Sequence, residues 1–196
     1  MLAIMIDDKE ITLPENKEFL SFFEKRILQE RRKKSRHRLY LDLVITAVVV
    51  FILFSVVAGM AIVQGDSMKP NLTNHSVALF YRLDKTYEVN DIVIFNLPDE
   101  QEILIKRVVA VAGDTVDIDD KTGELKVNGA VKAEDYIYGE THSREGGTEY
   151  PLKVPEGYVF VLGDNREVAK DSRDFGAVEC GELLGKVSFE IKIVNG

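Results

Sequence analysis

A serine and a lysine in this sequence lie in surroundings that could turn them into a nucleophile and a base. Ser67 lies between Gly65 and Pro70, in a tight segment only four residues after an apolar run ends at Val63. Lys106 lies within the apolar stretch ILIKRVVAVAG. Either residue alone would mean little, because most serines are chemically idle and a lysine in a strand usually points to water. The combination of the two contexts indicates catalysis.

A serine hydroxyl attacks a carbonyl only when a base removes its proton. A lysine amine can serve as that base if it is neutral, and burial among neighbouring isoleucines and valines would lower its pKa by disfavouring the ammonium form. Arg107 follows directly, so on a strand it would point to the opposite face, where its charge requires a carboxylate. Suitable carboxylates occur in the stretch GDNREVAKDSRDFG, residues 163–176, although its composition would equally suit a solvated loop.

Histidine is the more usual partner of a catalytic serine. His37 precedes the apolar run, and His75 and His142 lie in the polar stretches LTNHSV and GETHSREGG, which are typical of loops. A Ser-His-Asp triad built on His142 therefore stays open as an alternative to the lysine.

The element that must carry Ser67 is the apolar run itself. Residues 43–63 contain no charged side chain, and a helix of that length would cross a hydrocarbon core of roughly 30 Å. Eight Lys or Arg residues and one acid occupy residues 25–38, which predicts a cytoplasmic amino terminus. Asp42 would lie at the inner edge, within reach of headgroup water. A cleaved secretory signal is the competing interpretation, but its apolar core would be unusually long.

This pattern divides the chain into a basic cytoplasmic tail at residues 1–38, a transmembrane helix at residues 39–63 and an extracytoplasmic domain at residues 64–196. Within the tail, Thr12 and Pro14 could start a helix, and apolar residues recur at roughly helical spacing before the basic run. We weigh an amphipathic helix on the inner leaflet against a partly ordered tail.

Beyond residue 64 the pattern changes to short segments rich in branched and aromatic residues, with turn signals at Asn128-Gly129 and at residues 155–157. We expect strands at residues 77–83, 92–95, 103–111, 116–118, 125–127, 158–162 and 187–193. The last alternates cleanly, with Val187, Phe189, Ile191 and Ile193 on one face. The predicted fold class is mainly β: one N-terminal transmembrane helix followed by an all-β, barrel-like domain.

Composition limits the partners. Residues 64–196 carry 25 acidic and 15 basic side chains, a net charge of −10, which makes nucleic acid an unsuitable partner. Cys180 is the single cysteine of the chain, so it cannot form an internal disulfide, and the domain must be stabilised by its core.

The sequence resembles the bacterial type I signal peptidases, which are membrane-bound Ser/Lys endopeptidases, and most closely their small Gram-positive form. Four ordered stretches carry the resemblance: GDSMKPNL around Ser67, NDIVIF in a following strand, IKRVVAVAGDTV around Lys106, and GDNREVAKDSRDFG near the carboxyl terminus. It extends from the apolar run almost to the end of the chain.

The resemblance implies that Ser67 is the nucleophile, that Lys106 is the general base and that the Ser67 N–H is an oxyanion donor. No metal or organic cofactor is needed. Two further groups follow from the family pattern. A shallow pocket for small P1 and P3 side chains would be lined by Met68, Leu72 and Ile105, and a supporting ion-pair network would comprise Arg107, Asp164, Asp171 and Arg173.

Several positions depart from that pattern. Gly65 stands where some members have a hydroxyl that adds a second oxyanion donor. Asn71 replaces the usual threonine and Ala112 the usual proline, neither of which supplies a catalytic atom. Ala169 replaces a serine whose hydroxyl hydrogen-bonds the lysine amine, a loss on the order of 1 kcal/mol unless water replaces the contact. Asp66 has no chemical role that the sequence indicates.

The implied function is removal of signal peptides from exported preproteins after an Ala-x-Ala sequence, in a bacterial cell membrane crossed once. Membrane lipid and exported preproteins are the expected partners, with a possible link to a secretion translocon or to pilus and sortase machinery. Three alternative functions compete with this one. A soluble self-cleaving repressor does not fit the membrane helix, and the signal peptidase of the endoplasmic reticulum has histidine in place of the lysine. A peptidase-like assembly factor for secreted or pilus subunits stays open because of Ala169.

Overall fold

The structure is a computed structural model that describes residues 3–6, 9–12, 17–97 and 102–192, with side chains described from residue 21 onward. Two helices and thirteen strands occur in these ranges. The elements are β1 Ala3–Ile6, β2 Lys9–Thr12, α1 Lys17–Val57, β3 Ala58–Ile62, β4 Val77–Tyr81, β5 Ile92–Leu97, β6 Glu102–Val111, β7 Thr115–Asp119, β8 Glu124–Val127, β9 Ala130–Val131, β10 Leu152–Lys153, β11 Tyr158–Leu162, α2 Ser172–Phe175, β12 Val178–Glu179 and β13 Leu183–Ile191. A short 3₁₀ turn, Cys180–Glu182, precedes β13.

The helix α1 is one continuous element that includes the basic segment and the apolar run as far as Val57. By length and composition it could cross a membrane. The helix ends at Val57, six residues before the predicted end at Val63, and this boundary corrects the sequence-based one. Residues 58–62 form β3 instead, pairing with β4 from Ala58 opposite Tyr81 to Ile62 opposite Val77. Apolar side chains suit either environment, so hydropathy alone did not distinguish the strand from the helix.

Two antiparallel sheets form the domain that follows. The larger has seven strands in the order β12-β11-β6-β5-β13-β4-β3, and the smaller has four in the order β10-β7-β8-β9. Because β12 and β3 are edge strands, the larger sheet is open rather than closed. The domain is therefore mainly β as predicted, but the barrel-like description is not confirmed.

Turn chemistry explains the connection within the smaller sheet. Asn128 and Gly129 join β8 to β9, and both have positive φ angles, 53° and 79°. Two central residues with positive φ are what a type I′ hairpin requires, and Asn-Gly is its preferred sequence. The predicted hairpin is therefore confirmed, whereas the two-residue strands β9, β10 and β12 had no periodicity to reveal them.

The predicted alternation of the last strand is interrupted by a bulge. Val187 pairs with Phe80, and the register then shifts so that Phe189 pairs with Leu79. A bulged residue moves the following side chains to the other face of the sheet. Phe189 is consequently 70% exposed, while Val187 packs against a buried cluster. Residue 193 of the predicted strand lies outside the described residues.

Three buried apolar clusters hold the domain together. One lies where the two sheets meet and includes Phe160 and Leu162, and a second packs β5, β6 and β11 around Phe95. The third contains Val63, Met68, Leu72 and Ala78. Two members of this third cluster, Met68 and Leu72, belong to the segment that carries Ser67. The core therefore anchors the candidate nucleophile.

Candidate active site

Ser67 is carried by a loop, residues 64–76, that leaves β3 and returns to β4. Backbone hydrogen bonds from Val63 to Ser76 and from His75 to Val63, each 2.9 Å long, close the ends of the loop. Gly65 has a φ of +82°, a conformation that L side chains rarely adopt, and its N–H donates to Asn74 Oδ1. The loop is thus a defined turn that presents Ser67.

Lys106 reaches this serine from the middle of β6. Its side chain is only 2% exposed, and its Nζ lies 3.0 Å from Ser67 Oγ. The same amine donates to the carbonyl of Ile105 at 2.9 Å. The structure therefore brings together the two residues that the sequence singled out for chemistry, 39 positions apart in the chain.

Burial changes the acidity of this amine. Desolvation lowers the pKa of Lys106 from 10.5 to about 8, although the carboxylates of Asp171, Asp164 and Glu102 act in the opposite direction. A group with that pKa is neutral in roughly a tenth of molecules at pH 7. The arrangement can therefore supply a free amine, which is the form that accepts a proton from a serine hydroxyl.

The adjacent residue, Arg107, makes a different set of contacts. Its Nε and Nη2 donate to both oxygens of Asp164, at 2.8 and 2.6 Å, and its guanidinium lies 4.3 Å from the centroid of the Tyr136 ring. Asp164 is completely buried. A two-point contact of this kind matches the planar guanidinium to the two oxygens of the carboxylate and fixes the geometry of both side chains.

Asp171 and Arg173 form a second buried ion pair, at 2.9 Å between Arg173 Nε and Asp171 Oδ1. Asp171 also caps the short helix α2 and accepts a hydrogen bond from the Gly163 N–H at 3.0 Å. The guanidinium of Arg173 donates to the Arg166 carbonyl at 2.8 Å. These contacts fix both ends of residues 163–171, which we call the bracing loop.

The bracing loop contacts the nucleophile directly. The Asn165 N–H donates to the Ser67 carbonyl at 3.0 Å. Gly163 lies so close that a Cβ there would approach the Ser67 carbonyl oxygen to 2.7 Å and would overlap the Ala169 side chain. A glycine is thus required where the two loops pack together.

Ala169 occupies the position at which similar sequences have a serine hydroxyl. Its side chain is buried at 2% exposure and packs against Gly163, while its carbonyl accepts a 3.3 Å hydrogen bond from Arg173. The Lys106 amine instead has the Ile105 carbonyl as its second partner. The lysine is therefore oriented by a backbone group of its own strand.

Two cavities meet at Ser67 and Lys106. One of about 540 Å³ is mostly apolar, and its walls are β3 with the residues that follow it and the first half of β6. Met68 and Ile105 line it, as the family pattern implies. Leu72 is not among its lining residues; its side chain is buried in the same apolar cluster as Met68.

The second cavity, of about 460 Å³, is more polar. Its walls come from the loop of the nucleophile, the start of β6 and the bracing loop, and they include Asp66, Glu102 and Val168. Asp66 forms a half-exposed ion pair with Lys69 at 3.0 Å. The two cavities share Gln64, Ser67, Leu104 and Lys106 as lining residues, so the serine and the lysine are accessible from both.

The Ser67 N–H has no hydrogen-bond partner among the residues that the structure describes, so it is available to an oxyanion. The base that reaches Ser67 Oγ is Lys106 rather than a histidine. His142 contacts Glu140 and Asp120 on the surface, with nearly half of its side chain exposed.

Sequence reasoning missed a third buried ion pair. Arg166 is 1% exposed and bonds Glu134 at 2.7 Å, the Gly163 carbonyl at 3.0 Å and the Thr141 hydroxyl. Arg166 stood within a quoted motif, but the polar composition of that stretch suggested a solvated loop. Its partner Glu134 lies 32 residues away, and no local pattern signals such a pairing.

Comparison with known proteins gives consistent matches. The family described as "Signal peptidase, peptidase S26" matches residues 36–192. Signal peptidase IB of Staphylococcus aureus (strain Mu50) is 32% identical over 174 residues, covering 80% of this chain and 90% of that protein. Signal peptidase I P of Bacillus subtilis subsp. natto is 33% identical over 156 residues, covering 74% and 83%.

A chloroplast protein is also similar. Thylakoidal processing peptidase 1, chloroplastic, of Arabidopsis thaliana is 38% identical over 162 residues, covering 74% of this chain. The chain spans less than half of that relative's length, 45%. A crystal structure of a signal peptidase I from Enterococcus faecalis V583 aligns with a TM-score of 0.44 and 32% identity, over 53% of this chain and 97% of that one.

Proposed function

Because the chain belongs to the signal peptidase family, peptidase S26, we propose that it is a serine endopeptidase that removes signal peptides from exported preproteins. The observation that carries the proposal is the 3.0 Å contact between the buried Lys106 amine and Ser67 Oγ. A lysine of lowered pKa beside a serine hydroxyl is an arrangement for activating that hydroxyl.

The reaction proceeds through an acyl-enzyme. Neutral Lys106 accepts the Ser67 proton as Oγ attacks the scissile carbonyl, and the Ser67 N–H donates to the resulting oxyanion. The Lys106 ammonium then protonates the leaving amine, so the carbon–nitrogen bond breaks and the lysine is neutral again. In the second half, Lys106 removes a proton from water, which attacks the ester, and then returns a proton to Ser67.

The apolar cavity suits the signal-peptide side of the cleavage site. It lies between β3, which is an edge strand, and the first half of β6. Among the residues that the structure describes, this half of β6 pairs with β5 alone, because β11 pairs with β6 from Arg107 onward. An extended peptide can therefore add hydrogen bonds to free strand edges on both sides. Met68 and Ile105 on its wall are the apolar side chains that small P1 and P3 residues would contact in cleavage after Ala-x-Ala.

The membrane is the proposed location, with the amino terminus cytoplasmic and the catalytic domain outside. The basic segment before the apolar part of α1 supports this orientation. The domain also presents two apolar rows across three strands on its surface: Met60, Leu79 and Phe189, and Ile62, Val77 and Ile191. Met60 and Phe189 are 72% and 70% exposed. Exposed rows of this kind suit contact with membrane lipid.

Precursor cleavage is the test of the function. Detergent-solubilised protein is incubated with a preprotein, beside the variants Ser67→Ala and Lys106→Met and an Asp119→Asn control from the Asp119–Lys126 ion pair of the smaller sheet. We expect a mature product from the wild type and from Asp119→Asn, and no product from the other two. Binding of the preprotein without any Ser67-dependent product would favour an assembly factor for secreted or pilus subunits instead.

A further inference from the structure

Asn71 connects the loop of the nucleophile to the bracing loop. Its side-chain Nδ2 donates to Asp164 Oδ2 at 2.8 Å and to the Tyr136 carbonyl at 2.7 Å. Asp164 is the buried carboxylate that Arg107 already holds at two points. One short side chain, four residues after the nucleophile, therefore bonds a carboxylate whose position is fixed.

Asn165, which follows Asp164 in the bracing loop, makes a second contact with the loop of the nucleophile. The Asn165 N–H donates to the Ser67 carbonyl at 3.0 Å. Residues 67 and 71 of one loop thus bind residues 165 and 164 of the other. Two contacts at separate points restrict rotation of the intervening turn, which one contact would not do.

The other end of the loop is anchored independently. The Thr73 N–H donates at 2.5 Å to the carboxylate of Glu190 on β13, and the Val63 N–H donates to the Ser76 carbonyl at 2.9 Å. These contacts hold residues 73–76 in place whether or not Asn71 is present. Loss of the Asn71 contacts would consequently affect the position of the Ser67 turn more than the folding of the loop.

We propose that Asn71 is a positioning residue, which holds Ser67 Oγ within reach of the Lys106 amine by bonding the turn to Asp164. The inference rests on the proposed function and extends it to a residue that differs from the usual threonine of similar sequences. Asn71 touches neither the reacting atoms nor Lys106. Its effect is on geometry, and a displacement of about 1 Å at a reacting group can cost roughly 100-fold in rate.

A matched pair of substitutions tests this. Asn71→Asp keeps the size of the side chain but replaces the donor by a carboxylate facing Asp164. Asn128→Asp makes the same change in the remote hairpin, where Asn128 Nδ2 donates to Asp114 at 2.7 Å. A third variant, Asn71→Thr, retains one hydroxyl donor at the site.

We expect Asn71→Asp to lower kcat roughly 10- to 100-fold with KM for a peptide substrate changed less than about twofold, because the cavities stay intact. Asn71→Thr should recover most of the rate, and Asn128→Asp should retain wild-type kcat. Equal losses in the Asn71 and Asn128 variants would show general destabilisation and would overturn the proposal.

Hydrogen exchange supplies a measurement that does not depend on activity. In Asn71→Asp we expect the peptide containing the Asn165 N–H to exchange at least about tenfold faster than in the wild type, since its bond to Ser67 opens more often. If the wild type shows no Ser67-dependent cleavage, the proposed function fails while this comparison still decides the role of Asn71. Unchanged exchange, or unchanged kcat in an active preparation, overturns the positioning role.

Discussion

Two neighbouring basic residues on β6 differ in their partners: one contacts neutral groups and the other contacts a buried carboxylate. Lys106 lies beside an apolar cavity with a serine hydroxyl and a carbonyl as its partners, whereas Arg107 binds both oxygens of the buried Asp164. Burial without a direct carboxylate partner lowers the pKa of the lysine to about 8. The two environments suit the two groups: the Lys106 amine can lose its charge where no carboxylate contacts it, whereas the guanidinium of Arg107 stays protonated and is held by Asp164.

The largest expected effect comes from removing the base. Lys106→Met should lower cleavage about 100- to 10,000-fold while making the protein more stable. The pKa of Lys106 is about 8 in the folded protein and 10.5 for a solvent-exposed lysine. This difference corresponds to roughly 3 kcal/mol by which burial of the charged amine destabilises the folded state. Chemical denaturation in detergent should show this gain in full below pH 8, declining between pH 8 and pH 10.5. A loss of stability at pH 7 would contradict the neutralised lysine.

Removing the neighbouring cation, Arg107, should make the protein less stable rather than more stable. Arg107→Met leaves the fully buried Asp164 with Asn71 as its remaining side-chain partner, and breaking a buried pair in this way costs about 3–5 kcal/mol. The free energy of unfolding, measured in urea, should fall by that amount. Arg82→Met is the control, because Arg82 is exposed and its guanidinium lies over the face of Phe80 rather than against a buried carboxylate. Similar stability of the two variants would mean that the Arg107 pair contributes little.

Restoring the hydroxyl of similar sequences should have a smaller effect. Ala169→Ser introduces a hydroxyl that could hydrogen-bond the Lys106 amine, worth about 1 kcal/mol or roughly a fivefold rise in kcat. Steady-state cleavage of a peptide substrate measures this, with Ala133→Ser on the exposed surface as the matched control. An unchanged or reduced kcat would show that the Ile105 carbonyl already supplies sufficient orientation.

The smallest effect concerns pH dependence. Activity should rise as pH increases through the pKa of Lys106, near 8, because the neutral amine is the active form. Glu102 raises that pKa through its charge, so Glu102→Gln should move the ascending limb of the kcat/KM profile to lower pH by a fraction of a unit. A shift to higher pH would contradict the assigned sign.

The proximity of Ser67 and Lys106 could be predicted from the sequence because the signals around both residues are local. Ser67 lies in a motif with turn residues on both sides, and the apolar neighbours of Lys106 predicted its burial. Strand alternation likewise predicted that Arg107 would need a carboxylate. Such inferences depend only on residues close in the chain, and most predicted strands were recovered for the same reason.

Features that depend on distant parts of the chain were not predictable in this way. Apolar residues 58–62 could serve in a lipid-facing helix or in a sheet, and only their partner strand β4 distinguishes the two. The bulge between Val187 and Phe189 changes which face is buried without any sequence signal. The Arg166–Glu134 pair joins segments that no periodicity relates.

The junction between α1 and β3 has a consequence for which precursors can be processed. The helix ends at Val57 and the strand that lines the apolar cavity begins at Ala58, so no flexible linker separates the two elements. Ser67 follows the end of α1 by ten positions, so under the proposed topology the length of the chain itself limits how far the nucleophile can lie from the lipid surface. A precursor would therefore be selected by the number of residues between its own apolar segment and the bond to be cut. Under the proposed function, precursors would be selected by the length of this segment as well as by the small side chains before the cleaved bond.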